Sequence, residues 1–210
     1  MDEQFIDNPL GQETESFSYP EEFSQNNFRP DNLQFGIDNR KYFLDTQAKT
    51  ICVVEREKIK WVGGFGFEDD EFITPVSIAY SNLSLFILDQ SQSKVTEFDS
   101  NLNFISSFEL EINYPDLLTF NPLNESVIIS NSEQTLFKYR YGFRTKETMI
   151  DLNQYSQISG VVMSIYIRED GMIGLLTSSP DSVSFFNLFP GLYIYIYIYI
   201  YCKCCRETAG

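Results

Sequence analysis

FITPVSIAYSNLSLFILDQSQSKVTEFDSNLNFISSFEL, residues 72–110, decides how the rest of the chain is read. It divides into the apolar runs VSIAY, SLFILD, KVTEFD and NFISSFEL, with the polar turns SNL, QSQS and SNLN between them. Short runs rich in aromatic and β-branched residues, bounded by Asn, Ser and Asp, are strand signals. Four of them joined by tight turns predict a four-stranded antiparallel sheet. Asn82 and Asn101 fall in turns, where asparagine tolerates a left-handed backbone.

The same pattern recurs on either side. A strand of the FILD kind ends at Asp45, Asp89, Ser130 and Thr177, in steps of 44, 41 and 47 residues. A turn residue leads into the preceding strand each time, at Pro30, Pro75, Pro115 and Gly160, in steps of 45, 40 and 45. Two markers keeping step over four units define a repeat, and a repeat of this length carrying about four strands matches one propeller blade. The expected fold class is therefore all-β, an incomplete β-propeller of four-stranded antiparallel blades over residues 28–186.

Residues 72–110 resemble the NHL repeat of six-bladed propellers. The likeness runs through Phe72, Pro75, Ile78-Ala79, Leu85-Phe86-Ile87-Leu88-Asp89, Lys94-Val95, Phe98-Asp99 and Phe104-Ile105. Ser77 stands where that family favours glycine, and QSQSK replaces its Asn-His-Arg step. The first unit matches more loosely through Phe28, Pro30, Gly36-Ile37, Phe43-Leu44-Asp45 and Ile51. The resemblance implies a rigid platform whose loops bind a protein or a small ligand. It also implies an alternative, a hydrolase or lyase holding a metal in the central channel with carboxylates.

Composition narrows the function. Thirty acidic residues against 15 basic ones oppose nucleic acid, which needs a cationic footprint, and anionic lipid surfaces. No histidine is present in the 210 residues, which removes Ser-His-Asp and Cys-His catalysis and histidine-bound zinc from this chain. Cys52 in TICVVE reads as a small buried apolar residue, and the other cysteines, Cys202, Cys204 and Cys205, cluster near the end. No disulfide framework is expected. The start, MDEQFIDNPLGQ, has neither a basic region nor an apolar core, so no signal peptide and a soluble protein are expected.

Residues 1–27 carry seven acidic side chains and no Lys or Arg, with Phe5, Phe17, Tyr19 and Phe23 scattered among them. This stretch reads as a largely disordered acidic arm whose aromatics dock locally. Residues 187–210 read as a low-complexity tail, foreign to the propeller. From Tyr193 to Tyr201 tyrosine and isoleucine alternate, so both faces of a strand would be apolar. The uninterrupted apolar part is too short for a membrane span and begins after Pro190-Gly191. Alternating T and A bases encode Tyr-Ile in either phase, so a dinucleotide repeat would write this peptide. On that reading the chain is truncated and could be a gene remnant without activity. A six-bladed ring would need about 250 residues at this repeat length.

Four further motifs stand in the chain. Glu68-Asp69-Asp70-Glu71 is the densest acidic cluster, but no D-x-D-x-D-G frame surrounds it, and a solvated loop is the expectation. GGFGF at 63–67 follows no phosphate-binding pattern and reads as a turn between units. Asp45 and Asp89 could line a propeller mouth, although strand-end acids more commonly cap turns. Asn82-Leu83-Ser84 and Asn124-Glu125-Ser126 match a glycosylation acceptor. No catalytic, cofactor-binding or metal residue is assigned.

Overall fold

A computed structural model describes residues 19–81, 83–123, 125–140, 146–154, 160–167, 171–178, 181–186 and 197–198. Within them lie four antiparallel four-stranded sheets. The first blade is β1 (Asn32–Phe35), β2 (Lys41–Asp45), β3 (Thr50–Glu55) and β4 (Lys58–Gly63). The second is β5 (Pro75–Tyr80), β6 (Ser84–Asp89), β7 (Lys94–Asp99) and β8 (Phe104–Glu109). The third is β9 (Pro115–Asn121), β10 (Ser126–Asn131), β11 (Thr135–Arg140) and β12 (Lys146–Asp151). The fourth is β13 (Val162–Ile167), β14 (Ile173–Ser178), β15 (Asp181–Phe186) and β16 (Tyr197–Ile198). The chain is an all-β propeller whose four sheets follow the four predicted units.

The second strand of each blade explains the stacking. It is apolar at consecutive positions, which suits a strand covered on both faces. Successive side chains point to opposite faces, and here they enter different layers. Leu85 and Ile87 of β6 join Tyr42, Leu44, Ile51 and Val53 of the first blade. Phe86 and Leu88 of the same strand join Leu118, Val127 and Ile129 of the third. Ile128 faces the fourth blade, packing with Val162, Ile173 and Leu175. Each such side chain, fully buried, contributes about 1.5–3 kcal/mol of hydrophobic stabilisation, so the three layers between sheets hold the array together.

A fourth layer lies on the outer face of the first blade, where Phe43, Cys52 and Val54 pack with Phe23 and Phe28. Phe23 belongs to a short helix, α1 (Glu21–Gln25). Tyr19 and Phe23 of the acidic arm therefore dock on the first blade. Residues 1–18 lie outside the described residues.

Two expectations shift by small amounts. The left-handed position in the β7–β8 turn is Leu102, with φ 56°, rather than Asn101 beside it. In the third blade the hairpin from the leading proline is two residues longer, so that Pro115 faces Asn131 as Pro75 faces Asp89, each beside a bulge. Asn131, not Ser130, is thus the equivalent of Asp89, and the steps become 44, 42 and 46 residues. Two residues of the Tyr-Ile run also pair as a strand: Tyr197 with Ser184 and Ile198 with Val183. The remainder of that run, with Cys202, Cys204 and Cys205, lies outside the described residues, as do Asn82 and Asn124.

Candidate functional site

The strand pairing gives the propeller two faces. One carries the turns between second and third strands together with the connections between blades. The other carries the turns between first and second strands and between third and fourth.

On the first face the strand-end acids are structural. Asp45 accepts the backbone N–H groups of Gln47 (3.0 Å) and Ala48 (2.8 Å) in its own turn, and that of Arg29 (2.6 Å) ahead of β1. Asp89 repeats this with Gln92 N (3.0 Å), Ile73 N (2.7 Å) and Thr74 N (3.2 Å). Each carboxylate ties a turn to the incoming chain, and each is almost wholly buried. Asn131 does the same in the third blade, accepting from Thr135 N (3.0 Å) and donating through Nδ2 to Asn113 O (3.3 Å).

The other motifs on this face are connections. Gly63 and Gly64 have φ of 113° and 135°, which turn the chain out of β4 toward the second blade. Phe65 and Phe67 stand exposed on that loop. Glu71 accepts from the backbone N–H of Glu68 (3.2 Å). Among the described residues, no group of three or more His, Cys, Asp or Glu side chains gathers closely enough to hold a metal ion. Cys52 is buried in β3, and desolvation pushes its thiol well above the usual range, so it is not a nucleophile.

The opposite face holds the candidate site. Phe86 of β6 and Phe120 of β9 stack across the junction of the second and third blades, with centroids 5.4 Å apart and planes 7° from parallel. Tyr42 and Tyr80 occupy the same positions one blade earlier, 5.1 Å apart at 23°. At that earlier junction, polar side chains close the surface. Tyr42 Oη donates to Ser100 O (2.9 Å), Arg40 Nη1 donates to the same carbonyl (3.0 Å), and Arg40 pairs with Glu55 at 3.3 Å. Desolvation raises the Tyr42 phenol far above its ordinary value, keeping it protonated as a donor.

At the second junction those groups are absent. Ser84 stands at the position of Arg40, and Phe86 at that of Tyr42, five and three residues before the strand-end acid. A cleft of about 270 Å³ opens there, lined by Ser81, Leu83, Ser84, Phe120, Pro122 and Glu125, with Phe86 in its wall. Its lining offers apolar and aromatic surface, two hydroxyls and one carboxylate, a set able to bind an aromatic or aliphatic group bearing a donor or a positive charge. Among the described residues of its lining, no acid–base pair with a nucleophile is formed.

Sequence reasoning assigned no site, and this one was missed because it lies across a blade boundary. The signal exists once the register is known: an aromatic residue three positions before the strand-end acid and another five after the leading proline.

Neither a protein-family model nor a curated protein matches this sequence. Solved structures do. Hydrazine synthase of Kuenenia stuttgartiensis superposes with a TM-score of 0.61 at 14% identity, covering 80% of this chain and 49% of that one. The nidogen/laminin complex gives 0.62 at 11% identity, with 78% and 62% coverage. Virginiamycin B lyase of Staphylococcus aureus, in a catalytically inactive histidine-to-alanine form with quinupristin, gives 0.58 at 12%, with 79% and 54% coverage. The chain thus spans about half to three-fifths of the length of these proteins. Among the described residues, no helix is long and apolar enough to cross a membrane. At this identity the likeness shows the fold, and the fold is that of a β-propeller.

Proposed function

We propose that this chain is a binding propeller of the NHL-like kind, with the cleft between its second and third blades as the recognition site. The observation carrying this reading is the replacement of Arg40 and Tyr42 by Ser84 and Phe86, beside which the cleft opens, walled by two stacked rings of adjoining blades. Ser84, Phe86 and Phe120 at the cleft belong to two packed sheets, and Ser81, Leu83, Pro122 and Glu125 to the hairpin turns beside them, so strand residues hold the aromatic part of the site in place before a ligand arrives. Glu125 at the cleft and the chain's formal charge of −15 favour a cationic ligand, so the proposed ligand is an apolar or aromatic side chain next to a positive charge on a partner protein.

The lyase reading has less support. Two of its ingredients, a histidine and a cluster of metal-ligating side chains, are missing from the sequence and from the described residues respectively. Phenethylamine, an aromatic ring with an ammonium group, tests the cleft. In a titration followed by amide NMR, shifts should centre on Ser81, Ser84 and Glu125 and disappear in Ser84→Arg. Absence of any shift at these residues, with phenethylamine or with the uncharged ethylbenzene, removes the cleft as a recognition site.

A further inference from the structure

In a closed propeller each blade is packed on both faces by its neighbours. The first blade here has the second on one face. On the other, Phe43, Cys52 and Val54 are covered by a segment of the chain's own beginning. We propose that Tyr19–Phe28 is an end cap, a segment that seals the face a neighbouring blade would otherwise occupy and makes the first blade the terminus of an open array.

The segment is shaped for this task. Its helix ends in a left-handed residue, Asn27, with φ 53°. Phe28 N donates to Phe23 O (2.8 Å) and Asn27 N to Ser24 O (3.3 Å), the paired bonds of a Schellman turn. Such a turn brings the residue after the left-handed position against the last turn of the helix, and Phe28 and Phe23 accordingly meet edge to face at 4.8 Å. The two rings then enter the blade together. Phe23 lies 5.1 Å from Phe43 and 5.6 Å from Trp61, and Phe28 lies 4.8 Å from Trp61. Tyr19 closes the edge, 5.8 Å from Phe43.

The attachment is one-sided. Between the helix and the blade's β3–β4 edge runs a cleft of about 630 Å³, bounded by Glu21, Glu22 and Gln25 on one side and Val54, Arg56 and Ile59 on the other. The chain is pinned again immediately afterwards, where Arg29 N donates to Asp45. The cap therefore docks through its aromatic side and is separable from the strands that follow. Any blade or partner that packs on this face must first displace it. Stacked-repeat proteins need such terminal elements with an apolar inner face and a polar outer one, and Glu21, Glu22, Ser24 and Gln25 supply the polar face.

Trp61, the sole tryptophan of the chain, touches both rings of the cap and reports its position. The test uses the full chain and the variants Phe23→Ala and Phe23→Leu. In Phe23→Ala, Trp61 emission should move to longer wavelength and acrylamide quenching should rise severalfold. Phe23→Leu should stay close to the parent. Hydrogen exchange should accelerate in Thr50–Glu55 and remain unchanged in Ser84–Asp99. Trp61 as shielded in Phe23→Ala as in the parent overturns the proposal, since something else then covers the face. Faster exchange through all four blades together also overturns it, because the segment would then be part of one undivided core.

Discussion

Phe86 and Phe120 lie face to face across the boundary between the second and third blades, and Tyr42 and Tyr80 repeat that relationship one blade earlier. The pair is a joint between sheets that also share hydrogen bonds, with Leu118 N donating to Ser77 Oγ at 3.1 Å. Ile128 and Ile167 hold the corresponding positions at the third joint and share its apolar layer.

Truncating the joint should be costly on its buried side. Phe86 is 1% exposed, so Phe86→Ala should lose about 3–5 kcal/mol of stability in urea unfolding. Tyr42→Phe keeps the ring and removes the hydroxyl that donates to Ser100 O, for a loss of about 1 kcal/mol. Equal losses in the two variants would show that the ring is not the element that joins the blades.

Asp89 and Asn131 perform one task with different chemistry, and the difference predicts that they do not exchange. Asp89 meets only N–H donors, whereas Asn131 meets one N–H and one carbonyl. Asp89→Ala should cost at least about 2 kcal/mol, because buried donors lose their acceptor. Asp89→Asn places an amide NH₂ against N–H groups and should also destabilise. Asn131→Asp places a carboxylate against Asn113 O with the same sign. Thermal melting of the two exchange variants checks this, and a neutral effect in both would refute the donor–acceptor assignment.

Burial raises the Asp116 carboxyl above its ordinary value, partly offset by the hydrogen bond from Ser130 Oγ. A raised folded-state value means that the folded chain holds the proton more tightly. The associated stability is fully present below the unfolded value of about 3.9 and is lost as pH rises through the folded one. Asp116→Asn, neutral at every pH, should therefore be more stable than the parent at pH 7 and equal to it near pH 3. Melting curves across that window decide the sign.

The fourth blade offers a test of register. Leu175 is fully buried against the third blade, while Leu176, on the opposite face, is 42% exposed. Leu175→Ala should cost about 2–5 kcal/mol, and Leu176→Ser should stay within about 1 kcal/mol. A slip of one residue would reverse the two results, since it exchanges the faces of a strand.

The strands of the second blade were legible because each is bracketed by turn residues and because the repeat supplied an independent ruler. Asp45 and Asp89 were legible as turn caps for the same reason. Ser130 stood in place of Asn131 in the repeat because Pro115 and its partner lie 16 residues apart where Pro75 and Asp89 lie 14 apart, a hairpin two residues longer that leaves no mark in the sequence. The docked helix escaped the reading of an acidic arm, although Asn26-Asn27 followed by Phe28 is the composition of a left-handed helix end. The cleft was illegible in principle to a reading of one blade at a time. Its stacked rings, Phe86 and Phe120, lie 34 residues apart on strands that do not pair, and a comparison of equivalent positions between blades exposes the missing Arg and Tyr.

The second blade is gripped by the first through one apolar layer and by the third through another, while the first is held by the second on one face and by the aromatic seal on the other. Heat or a pulling force that strips the seal should therefore loosen the first blade while the second keeps both its neighbours. The second blade should be the last shelter for a partner bound in its cleft.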